Sequence, residues 1–258
     1  MSDAAVQRFD IGRVINQITG LIGRNFISFT VLALLFSGLP YVISMLLQPL
    51  LIQPDSQAAT ILSAALLSIF LTVVPGFLLI GALTRASIDD LGRKGVSVPA
   101  ALQAGLRYLL PLIGLGLIVG LGVFAAMILL IVPGIILGIC WIVSSPVLVV
   151  EKAGIFQALQ RSLALTRGHR WAIFGLMLLY MLVVVIVAII IFTIFSGSIV
   201  PPQPGELAAQ PGIATILFLA LIQSFEVLIS TVGIAAIYFE LRRIKEGIDV
   251  SELASVFD

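Results

Sequence analysis

Apolar residues in this chain fall into long unbroken runs that short polar segments separate. A helix needs about 20 apolar residues to cross a bilayer. Six runs meet this length, at about 26–47, 60–83, 109–131, 133–150, 172–195 and 213–238. No charged residue occurs from Tyr108 to Val150, which is long enough for two spans, and Pro133–Gly134 favours a break between them. The pattern predicts an all-α membrane protein with six transmembrane helices.

Three of the polar segments carry apolar residues at helical spacing. They lie at about 9–24, 97–107 and 154–168. In the first, Ile11, Val14, Ile15 and Ile18 form one stripe with polar residues between them. Such a helix lies in the headgroup plane or packs on the bundle, and the sequence leaves both interpretations open. Each segment precedes two spans. We therefore expect one integral membrane domain over residues 1–258, built as three helical-hairpin repeats, each preceded by an amphipathic cytoplasmic surface helix.

The composition agrees with a membrane protein and excludes a water-soluble globule. Hydrophobic residues make up 60% of the 258 residues and charged residues only 10%, whereas soluble domains average about 25% charged. The only cysteine, Cys140, and the only histidine, His169, rule out an internal disulfide and a Cys/His zinc site. We expect no cofactor, no metal and no nucleic-acid partner.

The distribution of charge predicts the orientation of the chain. All 14 Lys and Arg residues lie before span one, between spans two and three, between spans four and five, or after span six. The opposite loops carry only Asp55 and Glu206. Since cytoplasmic loops are enriched in Lys and Arg, both termini are expected on the cytoplasmic side.

Two segments resemble motifs of a known family. The first is PGIILGICWIVSSPVLVVEKAGIFQALQRSLALTRGHRW and the second is IYFELRRIKEGID. Their motif positions include Pro133, Gly134, Pro146, Glu151, Tyr238, Glu240, Arg242, Arg243 and Glu246. They are similar to the bacterial glycerophosphoryl diester phosphodiesterase membrane-domain family and its YciC-type inner-membrane relatives. The resemblance implies a multi-pass protein of the bacterial inner (cytoplasmic) membrane.

In some relatives this domain is fused to a soluble phosphodiesterase domain. That catalytic domain is an α/β barrel that needs several carboxylates and histidines around a metal. This chain has one histidine and no room for the barrel beside its six spans. We therefore do not expect hydrolase activity, and no catalytic residue is assigned.

An intramembrane polar site is expected around Glu226 in span six. Gln223 and Ser230 lie at i−3 and i+4, so the three residues share one helix face. An ionisable residue at mid-membrane costs several kcal/mol and often marks function, here a proton or cation site or a substrate cavity. The structural alternative is a neutral Glu226 hydrogen-bonded across the bundle to Thr72, Ser144 or Ser145.

A second candidate is a basic headgroup site on the cytoplasmic side. Its members are Arg161, Ser162, Thr166, Arg167 and Arg170. Arginine forks bind phosphate, and basic residues beside a membrane suit lipid headgroups. Alternatively, these residues only follow the positive-inside rule. The charged tail residues could pair within their own helix or dock against the helix that carries Arg161.

These features lead to two functional hypotheses. The first is a non-enzymatic membrane module that binds or transports lipid or a small amphiphile. The alternative is a structural scaffold that docks a partner protein or forms a homo-oligomer. A polar cavity reaching Glu226 favours the first hypothesis, whereas a dry, packed bundle favours the second.

Overall fold

Helices form nearly all of the structure, a computed structural model that describes residues 9–52, 57–196 and 212–247. A π-helical turn at Leu34–Gly38 interrupts the first long apolar helix. The helices of the described ranges are α1 Ile11–Arg24, α2 Phe26–Ala33, α3 Leu39–Leu51, α4 Ala58–Leu91, α5 Val98–Leu129, α6 Ile131–Trp141, α7 Ser144–Val150, α8 Ile155–Thr166, α9 Arg170–Ser196 and α10 Ile213–Glu246.

The six expected spans are confirmed as helices long and apolar enough to cross a membrane. They are Phe26–Leu51, Ala58–Leu91, Val98–Leu129, Ile131–Val150, Arg170–Ile194 and Ile213–Glu246, named spans one to six below. Spans two and six have 34 residues each. At 1.5 Å per residue such a helix is about 51 Å long, more than the hydrocarbon core of about 30 Å. Both helices therefore project beyond the membrane, and the charged residues at their ends lie outside it.

The surface helix expected at 97–107 is wrong as a separate element. Those residues are the first turns of α5, which runs without interruption from Val98 to Leu129. Pro99 lies in the first helical turn, where proline fits. The helix then continues without a break from Arg107 into Tyr108, where the expected surface helix should have ended. The amphipathic segments at 9–24 and 154–168 are helical, as α1 and α8.

The break between spans three and four comes slightly earlier than expected. Leu130 adopts an extended conformation, and Pro133 and Gly134 already lie in the first turn of α6. A Cβ at Gly134 would lie 3.0 Å from the backbone nitrogen of Met127. Glycine at this motif position therefore allows spans three and four to approach closely beside their connection.

Span four contains a second break, at Ile142–Val143. Two backbone carbonyls near this break accept side-chain hydroxyl donors. Ser144 Oγ donates to the Trp141 carbonyl at 2.6 Å, and Ser162 Oγ of α8 donates to the Cys140 carbonyl at 2.8 Å. The break thus provides the attachment point for the surface helix α8.

The structure does not confirm the expected grouping into three hairpins. Span two packs most extensively against span three, and it also packs against spans one and six. Spans five and six, the expected third hairpin, have few close backbone contacts.

Packing is uneven between the two ends of the bundle. One end, called the charged end below, brings together α1, α8 and the ends of α4, α7 and α10. The larger core cluster lies here and includes Val14, Val147, Leu165, Tyr238 and Leu241. In contrast, the most apolar part of span five contains no buried residue. The fold therefore has a compact charged end and a loosely attached fifth span.

Candidate functional site

The two family motifs meet at the charged end in a group of five side chains, called the ion network below: Glu151, Arg161, Tyr238, Arg242 and Glu246. Arg161 donates to Glu151 at 3.0 Å and also to Glu246. Arg242 donates to Glu246 at 2.7 Å and to the Tyr238 hydroxyl at 3.2 Å. The Tyr238 hydroxyl donates to Glu151 at 3.0 Å. The network joins the end of α7, the surface helix α8 and the end of α10.

The ion network neutralises its own charge. Two arginines face two glutamates, and Tyr238 is fully buried beneath them. Both arrangements considered for the tail residues occur. Arg242 pairs with Glu246 within its helix, and Glu246 also receives Arg161 from α8. With its carboxylates and guanidiniums engaged with one another, the network acts as a clamp between helices.

A second buried carboxylate fastens α1 to span six. The Glu240 side chain is 0% exposed, and Arg13 Nη1 donates to it at 2.9 Å. Arg243 Nη2 donates to the same oxygen at 3.3 Å. Arg13 was not identified from the sequence, because its partner lies 227 positions away and no local spacing connects them.

A third set of ion pairs lies where α1 meets the end of α4. Arg24 donates to Asp90 at 2.6 Å, Asn25 donates to Asp90 at 3.0 Å, and Arg85 pairs with Asp89 at 2.7 Å. A surface cleft of about 400 Å³ opens beside this set. Its lining residues are Arg24, Asp90, Leu91, Arg93 and Gly95.

The predicted basic headgroup site is divided between two roles. Arg161 belongs to the ion network, and Ser162 and Thr166 are fully buried. The hydroxyl of Ser162 faces the Cys140 carbonyl, as does that of Thr166 at 3.5 Å. Only Arg167 and Arg170 of the expected set remain available for an external anion.

Lys245 is a third cation beside these two arginines. It was not predicted from the sequence. It lies within electrostatic range of Arg161, Arg167 and Arg170, and its ammonium donates to the Ala164 carbonyl at the end of α8. Arg167, Arg170 and Lys245 are called the basic cluster below. Among the residues the structure describes, no carboxylate lies within ion-pair distance of any of the three.

His169 lies in the same turn, between α8 and span five. Burial lowers the pKa of His169 below its usual 6.5, and the positive charge of Lys245 lowers it further. Its ring packs near Phe9, with 6.3 Å between ring centroids. Imidazole is therefore mostly neutral at pH 7, and an anion bound to the basic cluster would favour its charged form.

Large apolar side chains flank the basic cluster on the outside of the protein. Phe156 is 70% exposed and Trp171 is 86% exposed. Leu163 is also exposed and lies two turns after Phe156 on the same face of α8. Aromatic and aliphatic side chains beside cations are typical of a surface that sits at the boundary of headgroups and acyl chains.

Glu226 does not face the interior of the bundle. Its side chain is exposed, whereas Gln223 and Ser230 on the same helix face are half-buried. The hydroxyl of Ser230 donates to the Val227 carbonyl of its own helix at 3.1 Å. Two of the suggested partners across the bundle are engaged elsewhere, since the hydroxyls of Thr72 and Ser144 donate to carbonyls of their own spans.

A tyrosine that the sequence analysis did not consider lies opposite this face. Tyr180 of span five is next to Ser230 and within electrostatic range of Glu226. Its hydroxyl is buried beside the Ser230 side chain. Only the tertiary structure shows this neighbour, because 46 positions separate it from Glu226 along the chain.

A narrow void without room for a water molecule lies on another face of span six. It is lined by Thr30, Ala33, Ser224, Phe225 and Leu228 and does not include Glu226. Gly38 packs against this region, where a Cβ would lie 3.4 Å from the Ala220 carbonyl. This void therefore gives no polar path to Glu226.

Comparison with known proteins identifies the family. Residues 114–249, just over half of the chain, match the membrane domain of glycerophosphoryl diester phosphodiesterase. The matched part contains the ion network, the basic cluster and Glu226. Neither a curated protein nor a solved structure matches the chain. The chain is a polytopic membrane protein and belongs to the family of glycerophosphoryl diester phosphodiesterase membrane domains.

Proposed function

We propose that this protein is a non-enzymatic membrane module that binds the phosphate of anionic lipid headgroups through the basic cluster. The observation that carries the proposal is the contrast in pairing. Arg161 and Arg242 are neutralised by carboxylates, whereas Arg167, Arg170 and Lys245 beside them have none among the described residues. Three neighbouring cations repel one another, and a phosphate between them removes that repulsion. Arginine also binds phosphate through two parallel hydrogen bonds.

The surroundings of the basic cluster favour a lipid over a free anion. The exposed Phe156, Leu163 and Trp171 would contact acyl chains while the cations contact the headgroup. The family name also refers to glycerophosphoryl diesters. These compounds carry a phosphate diester joined to glycerol, as phospholipid headgroups do. Both observations support the same chemical class of ligand.

The proposal includes no catalytic step. A general acid or base needs a carboxyl group that is free to exchange a proton with substrate. The carboxylates at the charged end are instead held by arginines, at Glu151, Glu240 and Glu246.

We further propose that the charged end faces the cytoplasm of a bacterial inner membrane. The positive charges of all loops on this side support that orientation. The test places a cysteine at the exposed Arg93 in a Cys140→Ala background and adds a membrane-impermeant thiol reagent. We expect labelling in inside-out vesicles and none in intact cells. Labelling of intact cells would overturn the orientation.

Headgroup binding is tested by native mass spectrometry and thermal stabilisation in detergent with added phospholipid. The test variant is Arg167→Gln/Arg170→Gln/Lys245→Gln. We expect phosphatidylglycerol to bind the wild type at least tenfold more tightly than phosphatidylcholine, and this preference to disappear in the triple variant. Added glycerol 3-phosphate and inorganic phosphate separate a lipid site from a site for a free anion.

The matched control is Arg93→Gln/Arg107→Gln/Lys152→Gln, which removes the same charge from exposed positions at the same end. It should retain the preference for phosphatidylglycerol. Equal loss in both variants would mean that net charge alone attracts the lipid, and would contradict the proposal. Equal competition by inorganic phosphate would replace the lipid site with a site for a free anion.

The scaffold hypothesis remains a second proposal because of span five. The most apolar part of this helix has no buried residue, and its exposed side chains include Leu178, Leu182 and Ile189. Such a face fits a second copy of the chain as well as it fits lipid. Light scattering in detergent measures the mass of the complex. A dimer that Leu182→Trp converts to a monomer would favour the scaffold, whereas a monomeric wild type would exclude self-assembly through this face.

A further inference from the structure

Glu226 lies deep within the bilayer and is exposed there. Tyr238 marks the charged end of the same helix, 12 residues away. At 1.5 Å per residue the separation is about 18 Å, which places Glu226 near the middle of the hydrocarbon core. A carboxylate facing acyl chains is strongly disfavoured unless a cation accompanies it. Its exposed position therefore favours a cationic partner from outside the chain.

The described part of the chain offers no such cation at this depth. Its arginines and lysines lie at the charged end, outside the middle of the spans. What surrounds Glu226 is a set of neutral hydrogen-bonding groups. Gln223 and Ser230 flank it on span six, and the Tyr180 hydroxyl faces it from span five.

Glu226 is exposed at the side of the bundle, in the loosely packed region between spans five and six that is called the gap below. The two helices have few close backbone contacts, and span five is poorly packed along most of its length. The Tyr180 hydroxyl is buried beside the Ser230 side chain and within electrostatic range of Glu226.

We propose that Glu226, with Tyr180, Gln223 and Ser230, forms a lateral intramembrane site for a lipophilic cation, such as an organic ammonium or phosphonium ion. The carboxylate supplies the compensating charge, and the neighbouring oxygens supply polar contacts. Apolar side chains around the gap, including the exposed Met181 and Ile229, suit the hydrophobic substituents of such an ion. An anionic headgroup would be repelled by Glu226, so this site is separate from the basic cluster and independent of the proposed headgroup binding.

The experiment uses dicyclohexylcarbodiimide, which reacts with neutral carboxyl groups in apolar surroundings. Purified full-length protein in lipid nanodiscs is treated with this reagent, and the adduct is measured by intact-protein mass spectrometry. We expect an adduct in the wild type that is absent in Glu226→Gln. Tetraphenylphosphonium, a lipophilic cation, should slow adduct formation at least tenfold. In Tyr180→Phe the concentration needed for protection should rise about fivefold, the loss expected for one hydrogen bond.

The matched control is Glu226→Gln/Leu221→Glu. Leu221 is exposed on span six, but it lies on a different face of that helix from Glu226 and Ser230. This variant should form the adduct without protection by tetraphenylphosphonium. Equal protection would show that any membrane carboxyl attracts the cation and would overturn the proposal. If the control variant does not fold, an unchanged protection curve in Tyr180→Phe, or the absence of an adduct at Glu226, overturns it equally.

Discussion

Ionisable residues form ion pairs at the charged end but not in the middle of span six. At the charged end, six arginines pair with carboxylates, both within one helix and between elements: Arg13, Arg24, Arg85, Arg161, Arg242 and Arg243. Near mid-membrane, Glu226 is exposed and has no cation beside it in the described structure. The first region uses charge to hold helices together. The second leaves a carboxyl available to the surroundings.

The difference follows from the solvent at each position. At the charged end, water and headgroups reduce the penalty for bringing charges together, so ion pairs can act as clamps. In hydrocarbon the same carboxylate has no solvent to support it. A paired charge therefore has a structural role in this protein, and our two proposals assign external ligands to the unpaired charges. The basic cluster follows the same rule at the surface.

The largest effect should come from leaving Glu240 without its arginines. In Arg13→Met/Arg243→Met the fully buried carboxylate loses both partners. Breaking a buried ion pair typically costs about 3–5 kcal/mol. We expect the free energy of unfolding, measured by SDS titration in mixed micelles, to fall by about this amount. Adding Glu240→Leu should restore part of it. A stable double variant would show that water reaches Glu240.

A smaller loss is expected at the attachment of α8 to span four. Ser162→Ala removes the hydroxyl that donates to the Cys140 carbonyl. Leaving this buried carbonyl with only the longer 3.5 Å contact to the Thr166 hydroxyl should destabilise the protein by about 1–3 kcal/mol. The same SDS titration measures the change. Ser63→Ala is the control, because that hydroxyl donates only to its own exposed helix and its loss should have little effect.

The pH dependence of headgroup binding distinguishes the basic cluster from the clamps. His169 has a lowered pKa, and a bound phosphate favours its protonated form. Affinity for phosphatidylglycerol should therefore be constant above pH 7 and rise about threefold to tenfold as the pH falls from 6.5 to 5. The phosphodiester keeps its single charge over this range. His169→Gln should abolish the rise, and a rise that persists would assign it to another group.

The smallest effect on stability should come from Glu226→Gln. This carboxyl contributes no ion pair or hydrogen bond to the described structure, so the free energy of unfolding should change by less than about 0.5 kcal/mol. Glu240→Gln should lower the free energy of unfolding several times more than Glu226→Gln does, because two arginines lose their charged partner. Similar losses at both positions would mean that Glu226 is also part of a clamp.

Much of the fold could be predicted because it depends on local pattern. The length of each apolar run and the spacing in α1 and α8 gave six spans and two surface helices. The expected helix at 97–107 was wrong as a separate element because periodicity shows which face is apolar, but not whether a helix stops. The break before α6 was displaced because proline fits the first turn of a helix as well as a loop.

The candidate sites were predictable by residue type but not by role. Arg161 and Arg167 look alike in the sequence, yet Arg161 is held between two glutamates and Arg167 is exposed. Lys245 and Tyr180 were missed because their partners lie on other helices, far away along the chain.

The sequence by itself determined the number of spans, the family motifs and the concentration of positive charge between alternate spans. Bilayer thickness sets a fixed length for apolar runs, so these features can be counted along one dimension. Only the tertiary structure decided which charged residues form ion pairs. Arg13 meets Glu240 across 227 positions and Arg24 meets Asp90 across 66. The packing of whole helices sets these distances, and it leaves Arg167, Arg170, Lys245 and Glu226 without an ion-pair partner among the described residues.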